Sequence, residues 1–511
     1  MTDHTTTPIG RLAQWIDQRV GAAKFTRSTL DYVFPKHFSF LFGEIALYSF
    51  VVLVGTGIFL ALFYTPSEAE VIYAGTYDPL RGVAMTEAYE SVVDLSFSVR
   101  AGLLFRQTHH WAAIIFLGAI FLHLCRVFFT GAFRRPRELN WITGVTLMVV
   151  AIAEGFAGYS LLDDLLSGTG VRIAYSIAES IPVVGTWLAY WIWGGEYPGE
   201  GFLSRLFAVH IFLLPAVIAA LIGVHLFLVA RPHHTQFAGP GKREDNVVGL
   251  RLWPSYATLS VGLFFLVAAV LNLMGGFLQI NPVWLYGPYD VFVVSSGSQA
   301  DWYFLWLQGA LRLMPGVSLE LGPYTVANQF FPAVLYPGVV FALLYLWPFL
   351  EARVTGDRGE HHLLDRPRDR PLRTALGAAA IAGFVVLLLA GSDDVFVTTF
   401  DWSIVPVRNV ERVLFFVLPV LVGLGVWKAA RDLSRADPPD RRSAAPASTE
   451  PTPADAPAGS SGVAADAVAY RRHEVRHGDS GPTTLVGAIA AVGAAVAVGS
   501  LVRRGLRDRS H

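Results

Sequence analysis

Eight long apolar segments dominate the pattern of hydrophobic and polar positions along this chain. Each is long enough to cross a bilayer, whose ~30 Å hydrocarbon core needs about 20 helical residues. They lie at residues 44–64, 108–129, 141–161, 203–230, 254–275, 327–350, 372–391 and 409–430. The pattern therefore predicts an all-α protein, a polytopic membrane bundle of eight transmembrane helices.

The remaining segments complete the predicted organisation. Residues 1–40 are predicted to hold an amphipathic helix at 8–24, which fits a membrane surface and a soluble surface equally well. Residues 41–230 and 231–430 form two regions of four helices each. Residues 431–482 are rich in Pro, Ala and Ser and indicate a disordered tail. Residues 483–502 are a candidate ninth span, although alanine favours insertion only weakly.

Composition and charge support a membrane protein and exclude other classes. Hydrophobic residues make up 53% of the 511 positions and charged residues only 15%, as is typical of integral membrane proteins. The formal net charge is −1. A nearly neutral chain offers no broad basic surface, so no nucleic-acid partner is predicted.

Charges in the connections predict the orientation. The connections after the second, fourth and sixth helices are basic, whereas the alternate connections are poorer in Arg and Lys. Basic loops stay on the cytoplasmic side. We therefore expect a multi-pass protein of a bacterial plasma membrane with a cytoplasmic N-terminus. Two outer connections, at 162–202 and 276–326, are long enough to cover a site or to dock a partner.

Four histidines lie inside two of the apolar segments. His109 and His123 are 14 residues apart, and His210 and His225 are 15 apart. Fourteen helical steps of ~100° return to nearly the same face and cover about 21 Å. Two such helices would face each other with one pair of imidazoles near each side of the bilayer. Imidazole is a common axial ligand of haem iron, so the spacing favours two stacked haems over isolated core histidines.

Glycines repeat the same interval. Gly43 and Gly57 are 14 apart in the first segment, and Gly144 and Gly158 are 14 apart in the third. Glycine lets a flat macrocycle or a second backbone approach a helix closely. The repeated interval favours haem contact, although any one of these glycines could serve ordinary helix packing.

Two arginines flank the histidines of the second segment. Arg106 lies three residues before His109, and Arg126 lies three residues after His123. Each arginine is about one turn from a histidine, on the side nearer the membrane surface. A guanidinium there can bind the carboxylate of a haem propionate, or can extend towards the polar headgroups.

These motifs together resemble cytochrome b of the quinol–cytochrome c oxidoreductase (cytochrome bc) complexes over about residues 30–430. The motifs are Arg106–Gln–Thr–His109, His123–Leu–Cys–Arg126, Trp191–Ile–Trp–Gly–Gly195, Phe207–Ala–Val–His210 and Asp301–Trp–Tyr303. Other stretches resemble the actinobacterial branch, which also has the 15-residue interval: Phe38–Leu47, Asp163–Gly170 and His361–Pro371. A bulge or kink near Pro215 is predicted to absorb the additional residue.

The resemblance implies a di-haem core and a redox function. His109 and His210 would bind the iron of a low-potential b-type haem near the outer face. His123 and His225 would bind that of a high-potential b-type haem near the inner face. Both haems would be non-covalent. Quinol would be oxidised at an outer site, with one electron passing to a Rieske iron–sulfur protein and one through the haems to an inner quinone site. Protons would be released outside and taken up inside.

The resemblance also implies roles for three residues of the outer quinol site. Asp301 replaces the usual glutamate of a Pro-Glu-Trp-Tyr motif and would accept a proton from quinol. Tyr303 would position the quinone, and Tyr159 is a further candidate. Each tyrosine could instead be an interfacial aromatic residue.

Three positions depart from the family pattern. Ala300 and Leu162 replace prolines that frame the outer site, which predicts looser loops there. Leu259 replaces a lysine of the inner site and removes a hydrogen-bond donor. The candidate substitutes for that donor are Arg231, His233 and His234.

The resemblance implies partners as well. They are a Rieske protein, a cytochrome c-type subunit, a second copy of the complex in a homodimer and a haem–copper oxidase in a supercomplex. Menaquinone is the quinone that the actinobacterial branch implies. Two alternatives remain open on the sequence: a di-haem membrane anchor of a dehydrogenase or hydrogenase, and a proton-coupled transporter with intramembrane histidines.

Overall fold

Helices form nearly all the regular structure of this chain. The computed structural model describes residues 7–436 except 198, 294 and 295, so the candidate ninth span and residues 437–482 of the predicted tail lie outside the described residues. The helices are α1 (Pro8–Val20), α2 (Ala22–Leu30), α3 (Leu41–Ala61), α4 (Glu87–Phe97), α5 (Gly102–Thr130), α6 (Glu138–Ser160), α7 (Leu165–Glu179), α8 (Gly185–Trp193), α9 (Phe202–Ala208), α10 (Leu214–Ala230), α11 (Ala257–Phe277), α12 (Val283–Tyr286), α13 (Trp302–Leu313), α14 (Tyr336–Thr355), α15 (Pro371–Gly391), α16 (Asp393–Phe400) and α17 (Ile404–Ala436).

Eight helical segments within the described residues are long and apolar enough to cross a membrane. They are Phe38–Ala61, Gly102–Thr130, Glu138–Ser160, Phe202–Ala230, Leu252–Phe277, Phe331–Thr355, Pro371–Gly391 and Ile404–Ala436. Each overlaps one predicted segment, so the prediction of an all-α bundle with eight spans is confirmed.

The helix ends differ from the prediction where polar residues continue a helix. The predicted disordered tail begins at residue 431, but α17 continues to Ala436. That part of the prediction is wrong. Residues 428–436 are mainly Lys, Arg, Ala and Leu, which have high helix propensity, so the helix extends beyond its apolar part.

A π-helical turn interrupts the fourth span at its first histidine. It covers Val209–Leu213 and joins α9 to α10, whose second residue is Pro215. A π-turn holds one more residue than the regular helix. The predicted bulge near Pro215 is therefore confirmed, and it lets a 15-residue interval place both histidines of this span on one face.

The first four spans pack in two neighbouring pairs. α3 packs along α5, α6 packs along α10, and α5 also contacts α6. α11 covers α3 and α5, while α13, α15 and α17 pack together in the C-terminal half. The histidine-bearing helices α5 and α10 thus lie within the N-terminal group of four.

The connections predicted to lie on the outer side fold into a packed layer. α7 and α8 lie in the connection 162–202, and α12 and α13 lie in the connection 276–326. A third connection on the same side of the bundle, residues 62–101, contains α4 and packs against α12 through a buried cluster. Its members are Tyr73, Leu80, Met85, Tyr89, Val92, Val93 and Val283. The sequence did not single out this connection.

Short strands tie distant connections together. The strands of the described residues are β1 (Val33–Phe34), β2 (Glu70–Ile72), β3 (Ala84–Thr86), β4 (Gln236–Phe237), β5 (Leu250–Arg251), β6 (Leu319–Leu321), β7 (Tyr324–Val326) and β8 (Leu363–Leu364). The antiparallel pairs are β1 with β5, β2 with β3 and β6 with β7, and β4 pairs with β8 in parallel. The pairs of β1 with β5 and β4 with β8 bring the N-terminal segment and two basic connections to one side.

The N-terminal helix α1 has the predicted amphipathic pattern. Thr7 caps it by accepting a hydrogen bond from the Gly10 amide, and Gly21 ends it in the left-handed region at φ 63°. Ile9 and Val20 leave 81% and 71% of their surface exposed. The helix predicted over 8–24 is therefore confirmed for 8–20, and its location at a bilayer surface stays a prediction.

Candidate functional site

The four histidines of α5 and the fourth span form two matched pairs. The ring centroids of His109 and His210 are 6.3 Å apart, with planes at 80°. Those of His123 and His225 are also 6.3 Å apart, with planes at 74°. An iron atom held by one nitrogen of each ring at ~2.0 Å places the centroids about 6 Å apart. Both pairs therefore have the separation that two axial ligands of one iron require.

The four predicted glycines each face one of these histidines. A Cβ atom added at Gly57 would lie 3.2 Å from the His109 ring, and one at Gly158 would lie 2.5 Å from the His210 ring. Gly43 and Gly144 have the same relation to His123 and His225, the pair predicted to lie near the inner face and called the inner pair below; His109 and His210 are called the outer pair. Added Cβ atoms there would lie 3.2 Å from His123 and 3.6 Å from His225. Side chains at these positions would fill the space beside the imidazoles, so the glycines keep the helix surface open to a flat group.

The second ring nitrogens distinguish the two pairs. Thr56 Oγ1 lies 2.9 Å from His109 Nδ1, which leaves Nε2 to bind iron. Glu154 Oε1 lies 3.0 Å from His210 Nδ1. Among the described residues, Nδ1 of His123, of His210 and of His225 has no hydrogen-bond partner, so the contact with Glu154 is a close approach and not a hydrogen bond. The two pairs differ because a side-chain oxygen lies within 3.0 Å of Nδ1 in both His109 and His210.

Both flanking arginines have buried donors without partners, although only Arg106 is buried as a whole and Arg126 is half-buried. Arg106 is 5% exposed and donates from Nη1 to the Asn281 carbonyl oxygen at 3.0 Å. Its Nε and Nη2 have no hydrogen-bond partner among the described residues, and the same holds for Nε and Nη2 of Arg126. Arg126 packs over the Phe40 ring at 4.1 Å. Buried guanidinium donors without partners are costly, and carboxylates such as haem propionates would satisfy them.

Asp301 lies in a hydrogen-bonded cluster with two side chains. Tyr303 Oη donates to Asp301 Oδ2 at 3.0 Å. His110 Nε2 lies 3.0 and 2.9 Å from the two carboxylate oxygens and donates to them when that nitrogen carries the proton. The structure thus brings together Asp301 and Tyr303, as expected, and adds His110.

His110 is the functional candidate that the sequence interpretation missed. It directly follows His109, and one helical step turns it by about 100°, away from His210 and towards the N-terminus of α13. A second ionisable residue within an apolar span was a sufficient signal, because such residues are functional candidates by default. The pairing with Asp301, 191 positions away, was not readable from the sequence.

Tyr303 is held tightly at the start of α13. It is 4% exposed, and a Cβ atom added at Gly155 of α6 would lie 2.9 Å from its ring. Burial, and then the nearby Asp301 carboxylate, raise the pKa of Tyr303 well above its usual value of 10.0. The phenol therefore stays protonated and acts as a hydrogen-bond donor at neutral pH.

Tyr159 occupies a different position from Tyr303. Its hydroxyl donates to the Leu166 carbonyl oxygen at 2.8 Å, and its ring packs near Gly170 of α7. The structure therefore does not join Tyr159 to Asp301 by a hydrogen bond. Its visible role is to tie α7 to the outer end of α6.

An ion-paired anchor holds the loop before Asp301. Gln299 Nε2 donates to both carboxylate oxygens of Asp394, at 2.8 and 2.7 Å. Arg312 binds the same carboxylate from the other side, at 2.9 and 3.1 Å. Ala300 replaces the family proline between Gln299 and Asp301, and this side-chain anchor supplies a restraint where the proline ring is missing. Leu162, at the second replaced proline, packs against the buried cluster of the 62–101 connection.

A second polar cluster, the Glu44 cluster, consists of Glu44, Tyr48, Tyr256 and Ser260. Glu44 follows Gly43, the glycine that faces His123. Tyr256 Oη donates to Glu44 Oε1 at 2.6 Å, and Ser260 Oγ donates to Oε2 at 2.9 Å. Tyr48 Oη contacts the Ser260 hydroxyl. A carboxylate within a membrane span, surrounded by hydroxyl donors, is a functional candidate that the sequence interpretation did not name.

The residues proposed to replace the missing lysine have different surroundings. Leu259 is 58% exposed. Phe34 stacks on Tyr256 with centroids 3.9 Å apart and lies 4.9 Å from the His234 ring. The Phe34 ring therefore separates His234 from Tyr256 of the Glu44 cluster. Arg231 packs on Phe227 instead, and His233 stacks on Tyr32. Burial and the charge of Arg126 lower the pKa of His234 to about 4, so it is neutral at pH 7.

Comparisons with known proteins agree with these features. The family model described as cytochrome b(N-terminal)/b6/petB matches residues 114–288. The cytochrome bc1 complex cytochrome b subunit of Mycobacterium tuberculosis is 50% identical over 430 residues, covering 84% of this chain and 78% of the relative. The subunit of the same description from Streptomyces coelicolor is 47% identical over 428 residues, again 84% and 78%.

A solved structure shares the fold. A chain of a hyperthermophilic respiratory complex III matches with a TM-score of 0.61 and 22% identity over 81% of this chain and 99% of its own length. The relatives also decide between the three hypotheses from the sequence. They are cytochrome b subunits of cytochrome bc1 complexes, and neither dehydrogenase anchors nor transporters. This multi-pass membrane chain therefore belongs to the cytochrome b subunits of the cytochrome bc1 complexes, the haem-binding subunits of quinol–cytochrome c oxidoreductases.

Proposed function

We propose that this chain holds two non-covalent b-type haems and oxidises quinol at its outer side. His109 and His210 would hold the iron of one haem, and His123 and His225 would hold that of the other. The observation that carries the proposal is the equal 6.3 Å separation of the two imidazole pairs. When bound, the haems supply one-electron carriers across the membrane.

The basic connections support a cytoplasmic N-terminus. Arg137 Nη1 donates to the His361 carbonyl oxygen at 2.7 Å, and its Nη2 donates to that of His233 at 2.9 Å. The three basic connections therefore meet on one side of the bundle, where the positive-inside rule places the cytoplasm. His123 and His225 then form the inner pair, and Asp301 faces the outside.

At the outer site, Asp301 is the proton acceptor. Quinol oxidation releases two electrons and two protons, and a carboxylate next to a quinol hydroxyl can take one proton as the electrons leave. Tyr303 and His110 fix the carboxylate by hydrogen bonds and orient its oxygens. We propose that one electron passes to a Rieske iron–sulfur protein and then to a cytochrome c-type subunit. The other electron crosses the membrane to the inner side.

At the inner site, the Glu44 cluster is the quinone-binding and protonating group. Glu44, Tyr256 and Ser260 present a carboxylate and two hydroxyls beside Gly43, within reach of the inner haem position. The stacked rings of Phe34 and Tyr256 offer an aromatic surface for a quinone head group. Reduction of quinone consumes two protons, which are taken up from the cytoplasm through this cluster.

Changing Glu44 to glutamine should slow quinone reduction at the inner site. Glutamine keeps the size but cannot deliver a proton, and a lost general acid typically costs about 100-fold. The re-oxidation of the inner haem after a pulse of quinol should slow accordingly, while its reduction stays fast. Ser49→Ala, a buried hydroxyl on the same helix without a partner among the described residues, is the matched control. Unchanged re-oxidation in Glu44→Gln would remove Glu44 from this site.

Turnover of the isolated complex tests the proposed function as a whole. Quinol should reduce cytochrome c through the complex and release protons on the outer side of sealed vesicles. Menaquinol is the substrate we propose, from the likeness to the actinobacterial subunits, and a homodimer and an association with a haem–copper oxidase are proposed on the same ground. Haem reduction by quinol without any cytochrome c reduction would contradict the divided electron path.

A further inference from the structure

The Glu154 carboxylate lies close to Nδ1 of His210, a proposed haem ligand. Its Oε1 lies 3.0 Å from His210 Nδ1, and the two side chains are 18% and 17% exposed. Glu154 is on α6, one helical turn before Gly158, whose backbone faces the same ring. The carboxylate and the glycine therefore form one surface against His210. Nothing in the proposed catalytic steps uses Glu154.

The carboxylate is otherwise poorly compensated. Its Oε1 lies at hydrogen-bond distance from Nδ1 but off the N–H direction, and its Oε2 has no hydrogen-bond partner among the described residues. A charge within a membrane span is costly unless an opposite charge lies nearby. The core of an oxidised haem with two neutral imidazoles carries one net positive charge, because the positive charge of ferric iron is larger by one than the negative charge of the porphyrin dianion. The carboxylate and this charge complement each other.

The other three proposed ligands have no such neighbour. His109 Nδ1 contacts the neutral hydroxyl of Thr56, and Nδ1 of His123 and of His225 is without a hydrogen-bond partner within the described part of the chain. A negative charge therefore touches one ligand of the outer pair and neither ligand of the inner pair. Partners behind a metal-bound histidine adjust the properties of the metal.

We propose that Glu154 lowers the midpoint potential of the outer haem relative to that of the inner haem. A bound haem would accept one electron from quinol, and the charge of its core would then fall from plus one to zero. No proton is transferred and no bond is formed or broken at the haem in this step. The carboxylate stabilises only the oxidised form, so it disfavours reduction at the outer position and makes electron transfer to the inner haem downhill. Glu154 is thus a positioning and tuning residue that acts through His210. This inference rests on the proposed haem assignments.

Redox titration of the intact complex tests the inference. The reduced-haem absorbance of the wild-type complex should resolve two potentials. In Glu154→Gln, the reduction equilibrium of the lower-potential haem should shift at least tenfold in favour of the reduced form, which is about 59 mV for a one-electron couple. The higher-potential haem should not shift. Glu411→Gln removes another buried carboxylate from a span and should leave both potentials unchanged.

Two further variants keep the test decisive. Glu154→Asp retains the charge and should retain most of the low potential, whereas Glu154→Met is similar in size, uncharged, and should behave as Glu154→Gln. An unchanged outer potential in both uncharged variants, or loss of the haem in both, would overturn the proposal. A wild-type complex with fewer than two haems would instead contradict the proposed function, so the two failures are distinguishable.

Discussion

Replacing His210 by alanine should remove one haem and leave the other in place. His210 is one half of the outer pair, and alanine offers iron no ligand. The inner pair, His123 and His225, is about 21 Å away along the helices and should keep its geometry. We expect one haem per chain, loss of the lower-potential component from the redox titration, and quinol–cytochrome c turnover at background, because the electron path across the membrane is broken.

The matched control for this variant is His361→Ala. His361 lies in a basic connection, where its side chain contacts Asp357 at 3.0 Å and does not approach the haem ligands. That variant should retain both haems and normal turnover. If His210→Ala kept two haems with unchanged potentials, the pairing of His109 with His210 would be wrong.

Replacing Asp301 by asparagine should slow quinol oxidation by about 100-fold or more and leave both haems intact. Asparagine has nearly the same shape, and its oxygen can still accept a hydrogen bond from Tyr303 or His110. It cannot accept a proton from quinol, and general-base catalysis contributes ~100-fold to 10,000-fold. The measurement is the rate at which quinol reduces the haems, together with the haem spectra.

Asp290→Asn is the control for this second variant. Asp290 is an acid of the same outer connection, and its Oδ1 accepts a hydrogen bond from the Phe292 amide. It should turn over normally. Normal quinol oxidation in Asp301→Asn would exclude the carboxylate from the proton path and leave Tyr303 and His110 as hydrogen-bonding groups only.

The membrane spans were predictable because their signal is local. A bilayer demands about 20 apolar residues in succession, and this demand does not depend on the rest of the fold. The arrangement of the proposed haem ligands was also foreseeable, since helical periodicity alone places His109 and His123 on one face. Even the π-turn at Val209–Leu213 followed from counting 15 residues where 14 would fit a regular helix.

The polar partners of these residues were not predictable in the same way. His110 meets Asp301 across 191 positions, and Tyr256 meets Glu44 across 212. Such pairs depend on how a loop returns over the bundle, which no local pattern encodes. Glu154 could be noticed as a charge in an apolar span, but its contact with His210 depends on the packing of α6 against the π-turn.

The haem content of the purified complex tests the central claim most directly. The non-covalent haem extracted per chain should be two, and the reduced spectrum should be that of b-type haem. This result is expected because two imidazole pairs have the separation that iron requires, with glycines opening the surface beside each pair. A purified chain with one haem, or with none, would contradict the account.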